Sequence, residues 1–167
     1  MRSSVIFFIL TTVFGLIGCD KKTNNPDVET YIDQLKTNQY KGSELPAFQA
    51  SDIPALLNYA YETTVISNFP HNGISSLWAP ECKLGMYVLW TIESIRAVEI
   101  KSKYLIGRFP SQNPILALRA SAELELVTDN NSQEAAAKAY YDWWYSGYTL
   151  YDKMRMDPLS DTDYRWH

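Results

Sequence analysis

Leu84-Gly85-Met86-Tyr87-Val88-Leu89-Trp90-Thr91-Ile92-Glu93-Ser94-Ile95-Arg96 lies inside a segment, residues 81–101, that reads as one helix. Leu84, Val88, Ile92 and Ile95 recur at helical spacing and form one apolar stripe. Cys82, Met86, Leu89 and Ile100 form a second, and Tyr87 and Trp90 occupy further positions round the cylinder. A helix apolar nearly all round is buried on more than one side. This segment is therefore expected at the centre of the fold. Two charged residues interrupt it. Glu93 and Arg96 stand three residues apart, where helical side chains touch. Buried charges are normally paired, so the favoured reading is a structural pair hydrogen-bonded to loop backbone such as the Phe-Pro segments. The alternative is a polar site facing a ligand.

Helical signals continue on both sides. Residues 27–40 predict a first helix, capped by Asp27, with Val28, Tyr31, Ile32 and Leu35 on one face. Residues 41–50 read as a connection. Ser51 or Asp52 caps a second helix, Pro54 fits its first turn, and Leu56, Leu57, Ala60 and Tyr61 form its apolar face. Residues 65–80 read as a loop. Residues 102–131 hold a short helical turn at 114–119 and an alternation, Glu123 to Leu126, that suits a strand or a helix. Asn131 and Glu134 resemble a capping pair for a long helix over 132–156, stopped by Pro158. The tail, with Tyr164 and Trp166, is expected to fold back onto the body.

The fold expected from these signals is all-α: a single domain of about four main helices with long loops. Val65-Ile66-Ser67-Asn68-Phe69-Pro70 repeats as Leu105-Ile106-Gly107-Arg108-Phe109-Pro110. A period near 40 is that of two-helix solenoid repeats, so HEAT-like helix pairs stand as an alternative to an irregular bundle. The two Phe-Pro loops read as structural turns, each Phe plugging a core, with a paired rim that reads a partner as the alternative.

The long helix 132–156 carries the main functional signal. On a 100° projection Ala136, Ala139, Tyr140, Trp143, Gly147, Leu150, Tyr151 and Met154 share one arc, enough for a core face. Tyr141, Trp144, Tyr145 and Tyr148 fall on a neighbouring arc. These four are either covered by the tail or exposed as a binding face for glycan or protein.

Near its start the chain carries Arg2, an uncharged apolar run from Val5 to Ile17, and Leu16-Ile17-Gly18-Cys19 before the polar Asp20-Lys21-Lys22. The apolar run, as a helix, would be roughly 20 Å long against about 30 Å of hydrocarbon, which suits a cleaved leader better than a span. Cysteine at its end resembles the lipobox of bacterial lipoproteins. That resemblance implies a signal peptide over 1–18, diacylglycerol and fatty acyl chains such as palmitate on Cys19, a flexible tether over 19–27 and a folded domain over 28–167. It also implies a membrane anchored through the Cys19 lipid, in the cell envelope and at its outer membrane.

From Cys19 onward the chain has 14 basic and 19 acidic side chains, a formal charge of −5. No basic run occurs, which argues against nucleic acid. Cys82 is left without an intramolecular partner, so it reads as a small buried hydrophobe in the central helix. Five Trp and twelve Tyr suit cores, interfaces and sugar-binding surfaces alike. The two histidines, His71 and His167, have no metal-ligand spacing, and no nucleophile or phosphate-loop motif is present. The sequence thus names no catalytic residue, no metal and no cofactor.

Asp52-Ile53-Pro54-Ala55-Leu56-Leu57, Asn68-Phe69-Pro70, the run from Gly85 to Arg96 and Arg108-Phe109-Pro110-Ser111-Gln112-Asn113-Pro114 occur in that order. Together with Asp157-Pro158-Leu159 and Tyr164-Arg165-Trp166, the pattern resembles an uncharacterised family of small helical Bacteroides-type lipoproteins. That resemblance implies an envelope location and no known activity. Binding or scaffolding is the expected role. An accessory glycan-binding protein is the alternative, and a hydrolase using paired carboxylates comes third.

Overall fold

A computed structural model of the chain describes residues 25–75 and 79–167. The expected leader, Cys19 and the tether up to residue 24 lie outside the described residues. Among those described, five α-helices accompany two small antiparallel sheets. The fold is therefore mixed α/β, and the all-α expectation is overturned. The strands are two or three residues long, too short to show the period-2 signal on which a sequence reading depends.

The first helix, α1 (Pro26–Lys36), starts inside the expected tether. Asn25, not Asp27, caps it, accepting from the backbone N–H of Asp27 at 3.1 Å and of Val28 at 3.4 Å. Val28, Tyr31, Ile32 and Leu35 are buried, as their spacing requires. The helix stops before residue 40, and Asn38 takes a left-handed conformation (φ 57°) just beyond it. A 3-10 turn (Ala50–Asp52) leads into α2 (Ile53–Leu57), only five residues long. Tyr61, expected on its buried face, is half exposed because the chain has already left the helix.

Strand β1 (Val65–Ile66) pairs antiparallel with β2 (Cys82–Lys83), with Ile66 opposite Cys82. Cys82 thus sits in a strand and not in the central helix. That helix, α3 (Leu84–Glu99), begins two residues later. Its first free N–H groups are used by the chain leading into β1: Leu84 N donates to Thr64 O and Gly85 N to Glu62 O, both at 2.8 Å. A Cβ on Gly85 would stand 2.2 Å from the Ala60 carbonyl oxygen and 2.4 Å from Gln133 Nε2. Glycine is needed there because three segments meet without space for a side chain.

From Leu84 to Arg96 every residue of α3 is buried. It packs against α2 and against α4 (Asn130–Trp144) and α5 (Leu150–Arg155). Its polar side chains hold the loops. Tyr87 OH donates to Pro70 O at 2.8 Å, Trp90 Nε1 to Gln112 O at 2.9 Å, and Ser94 Oγ to Arg108 O. Phe69 and Phe109 are both buried, and Asn72 Nδ2 donates to Pro110 O at 3.3 Å, joining the two Phe-Pro loops. The repeated motif still does not make a solenoid. The first copy continues from β1, while the second closes a tight turn in which Ile106 bridges Phe109 and Gly107 has φ 58°.

The expected helical turn at 114–119 is instead β3 (Leu116–Leu118), the central strand of a sheet ordered β4 (Leu126–Val127), β3, β5 (Tyr164–Trp166). Leu116 pairs with Val127 on one side and Trp166 on the other. The tail therefore folds back, as a strand.

The long helix expected over 132–156 is two helices. Asp129 caps α4, accepting from Ser132 N at 2.9 Å. The chain then leaves the helix, and Ser146 Oγ donates to Trp143 O at 2.7 Å. Thr149 caps α5, accepting from Asp152 N at 3.2 Å, and Trp143 Nε1 donates to Lys153 O at 2.9 Å across the bend. Ser and Gly at 146 and 147 stop α4 because both favour non-helical backbone. Gly147, Leu150 and Tyr151, assigned to the core by a straight projection, are consequently exposed.

Candidate functional site

The buried face of α4 comprises Ser132, Gln133, Ala136, Ala137, Tyr140 and Trp143. This face leaves the next arc outside. Tyr141 is 41 % exposed, Tyr145 56 % and Tyr148 57 %. The Tyr141 and Tyr145 rings lie 4.5 Å apart at 41°. Trp144 is half-buried, with Lys153 Nζ 5.4 Å from its ring centre and donating to its carbonyl at 2.6 Å. Trp144 thus also serves the bend. Trp166 covers Tyr140, not this arc, donating from Nε1 to the Tyr140 hydroxyl at 2.8 Å.

One exposed aromatic extends the surface, and the sequence did not single it out for it. Tyr61 stands half exposed beside α4. Partial burial raises its phenol above the ordinary value, and Asp142, Glu134 and Tyr141 add to that. Tyr151, 65 % exposed, has the Arg155 guanidinium 3.5 Å over its ring. Tyr61 was not legible as part of this face, because it comes from another segment of the chain.

Beside the aromatic arc lies an open cleft of about 610 Å³ between α4 and the segment leading into β5. Tyr148 and Tyr164 line it with Asp142, Ser146, Asp161 and Thr162. Lys138 pairs with Asp142 at its edge, both well exposed. Aromatic faces beside carboxylates and hydroxyls can stack on an apolar ring face and accept hydrogen bonds from hydroxyl groups. The cleft was not foreseen, since it needs the fold of the tail.

Glu93 and Arg96 do form a buried pair. Arg96 Nη1 donates to Glu93 Oε1 at 2.6 Å and Oε2 at 2.5 Å. The Tyr140 hydroxyl donates to Glu93 Oε1, and Arg96 Nη2 donates to the Met156 carbonyl. Burial, the largest single influence, would lower the Arg96 pKa, but Glu93 together with Tyr140 and Asp157 outweighs it and holds the guanidinium above its ordinary value. The loop backbone that the pair engages is the end of α5, not the Phe-Pro segments.

Cys82 Sγ faces the carbonyls of Lys83 and Pro114, and burial pushes its thiol up to about 12. That is the opposite of what a reactive thiol needs. His71 packs on Phe69 with ring centres 4.4 Å apart, and burial lowers its pKa. His167 Nδ1 meets Asn113 Nδ2 at 2.9 Å. Among the described residues, no group of three His, Cys, Asp or Glu side chains is placed to hold a metal ion.

The fold and this surface define a small mixed α/β domain with an exposed aromatic face beside a polar cleft. Residues 22–167 match DUF4943, a domain of unknown function, and the chain belongs to that family. No curated protein and no solved structure matches it.

Proposed function

We propose that this protein is a lipid-anchored binding protein of the bacterial cell envelope that recognises carbohydrate through its aromatic face. The observation that carries the reading is the exposure of Tyr141, Tyr145 and Tyr148 although Tyr140 and Trp143 already complete the core face of α4. Rigid aromatic rings give contact area at low entropic cost. The adjoining cleft supplies carboxylates and hydroxyls within one concave surface.

The anchor rests on the Leu16-Ile17-Gly18-Cys19 context. No helix among the described residues is long and apolar enough to cross a membrane. Cys19→Ser should abolish metabolic fatty-acid labelling of the protein. Labelling that persists in this variant would remove the lipid anchor from the proposal.

For recognition, the full-length protein in detergent is screened on immobilised glycans. Tyr148→Ala should weaken capture about tenfold, which is about 1.4 kcal/mol. Its melting should stay close to wild type, as for surface substitutions generally. No captured glycan, or capture indifferent to both Tyr148→Ala and Tyr141→Ala, would defeat the reading. Cleavage of a captured glycan would replace it with hydrolysis.

A further inference from the structure

A second cavity, of about 350 Å³, opens beside the buried Glu93–Arg96 pair, between the end of α3, the loop that follows it, the end of α5 and β5. Three of the chain's six arginines line it: Arg96, Arg155 and Arg165. They come from three separate elements, in a protein of formal charge −4.

The carboxylates at this cavity are already engaged. Glu93 accepts from Arg96 and Tyr140. Asp157 accepts from Arg119, outside the cavity, at 3.2 Å and from the Leu159 N–H at 2.9 Å. The arginines are less well supplied. Arg155 is exposed, stacks on the Tyr151 ring and donates only to the Tyr151 carbonyl, at a long 3.3 Å, among the described residues. Arg165 is a half-buried residue, and its guanidinium has no hydrogen bond or ion pair among them. Arg96 Nε is buried without a partner. A partly buried guanidinium without an acceptor is unfavourable, and planar guanidinium groups match carboxylate and phosphate oxygens.

We propose that this cavity is an oxyanion site, taking the carboxylate or phosphate group of a small molecule, with Arg165 and Arg155 as the contacting cations. Arg96 lies behind them with its charge balanced by Glu93, so the positive charge open to a ligand is that of Arg165 and Arg155. The volume is at the lower end for ligand pockets and suits a molecule the size of one sugar acid or sugar phosphate. The site uses none of the aromatic arc, so it stands or falls apart from the carbohydrate reading.

The test titrates the full-length protein in detergent with glucuronate, inorganic phosphate and glucose by calorimetry, at one ionic strength because screening weakens such contacts. Glucuronate or phosphate should saturate the protein, and glucose should not. Whichever anion binds identifies a carboxylate or a phosphoryl ligand. Arg165→Gln and Arg155→Gln should each weaken that binding about tenfold or more, while Arg165→Lys should retain part of it. Melting of anion-free Arg165→Gln should match wild type, since no partner is lost. Absence of saturable binding by either anion, equal binding of glucose, or binding unaltered in both glutamine variants would overturn the proposal.

Discussion

Arg96→Ala should lower the stability of this protein by about 3–5 kcal/mol, the usual cost of removing one member of a buried ion pair. Arg96 and Glu93 are both buried. Truncation leaves the Glu93 carboxylate with the Tyr140 hydroxyl as its remaining side-chain partner and frees the Met156 carbonyl at the end of α5. It also removes a guanidinium 5.6 Å from the Trp143 ring centre. One change therefore loosens α3, α4 and α5 together. Urea unfolding of the variant measures the loss. Glu93→Ala with Arg96→Ala should cost less than the sum of the two, because neither is left as an unpaired charge. A single variant within about 1 kcal/mol of wild type would mean that solvent already screens the pair.

Alkaline pH should unfold the protein steeply. Burial raises the phenols of Tyr31, Tyr87 and Tyr140 well above their ordinary 10.0, and it pushes the Cys82 thiol from 9.0 up to about 12. For Tyr140 the neighbouring Glu93 carboxylate raises it further. The folded state thus keeps protons that the unfolded chain sheds. The stability from these groups is complete below pH 9 and is lost as pH rises, first through the unfolded thiol value and then through the unfolded phenol value. Each group contributes a slope of about 1.4 kcal/mol per pH unit between its unfolded and folded values, so four together give about 5 kcal/mol per unit from above pH 10 up to about 12, where Cys82 titrates in the folded state. Circular dichroism against pH should show a cooperative loss of helix, with phenolate absorbance rising in the same transition. Tyr31→Phe should make the slope shallower by one group's share. Unchanged helicity from pH 9 to 12 would contradict the assignment.

The Glu93–Arg96 contact was legible because it is local: spacing of three on a helix brings two side chains together. Its other partners, Tyr140 and the Met156 carbonyl, were not, since they arrive from 47 and 60 positions further on. The aromatic arc shows the same division. Helical phase separated Tyr141 and Tyr145 from Tyr140 and Trp143. It failed beyond residue 145 because a straight projection assumes that the helix continues.

The sequence by itself determined the burial of α3, the apolar face of α1, the structural use of the Phe-Pro turns and the return of the aromatic tail. All of these follow from local periodicity, turn chemistry and hydrophobic content. Only the tertiary structure decided that the fold is mixed. Leu116–Leu118 takes extended backbone because Trp166 and Val127 supply hydrogen-bond partners on its two edges, and that pairing is non-local. The same holds for the acidic cleft and the arginine cavity. Each is assembled from side chains that chain spacing does not relate: the cleft where the segment leading into β5 lies along α4, the arginine cavity where α3, α5 and β5 meet.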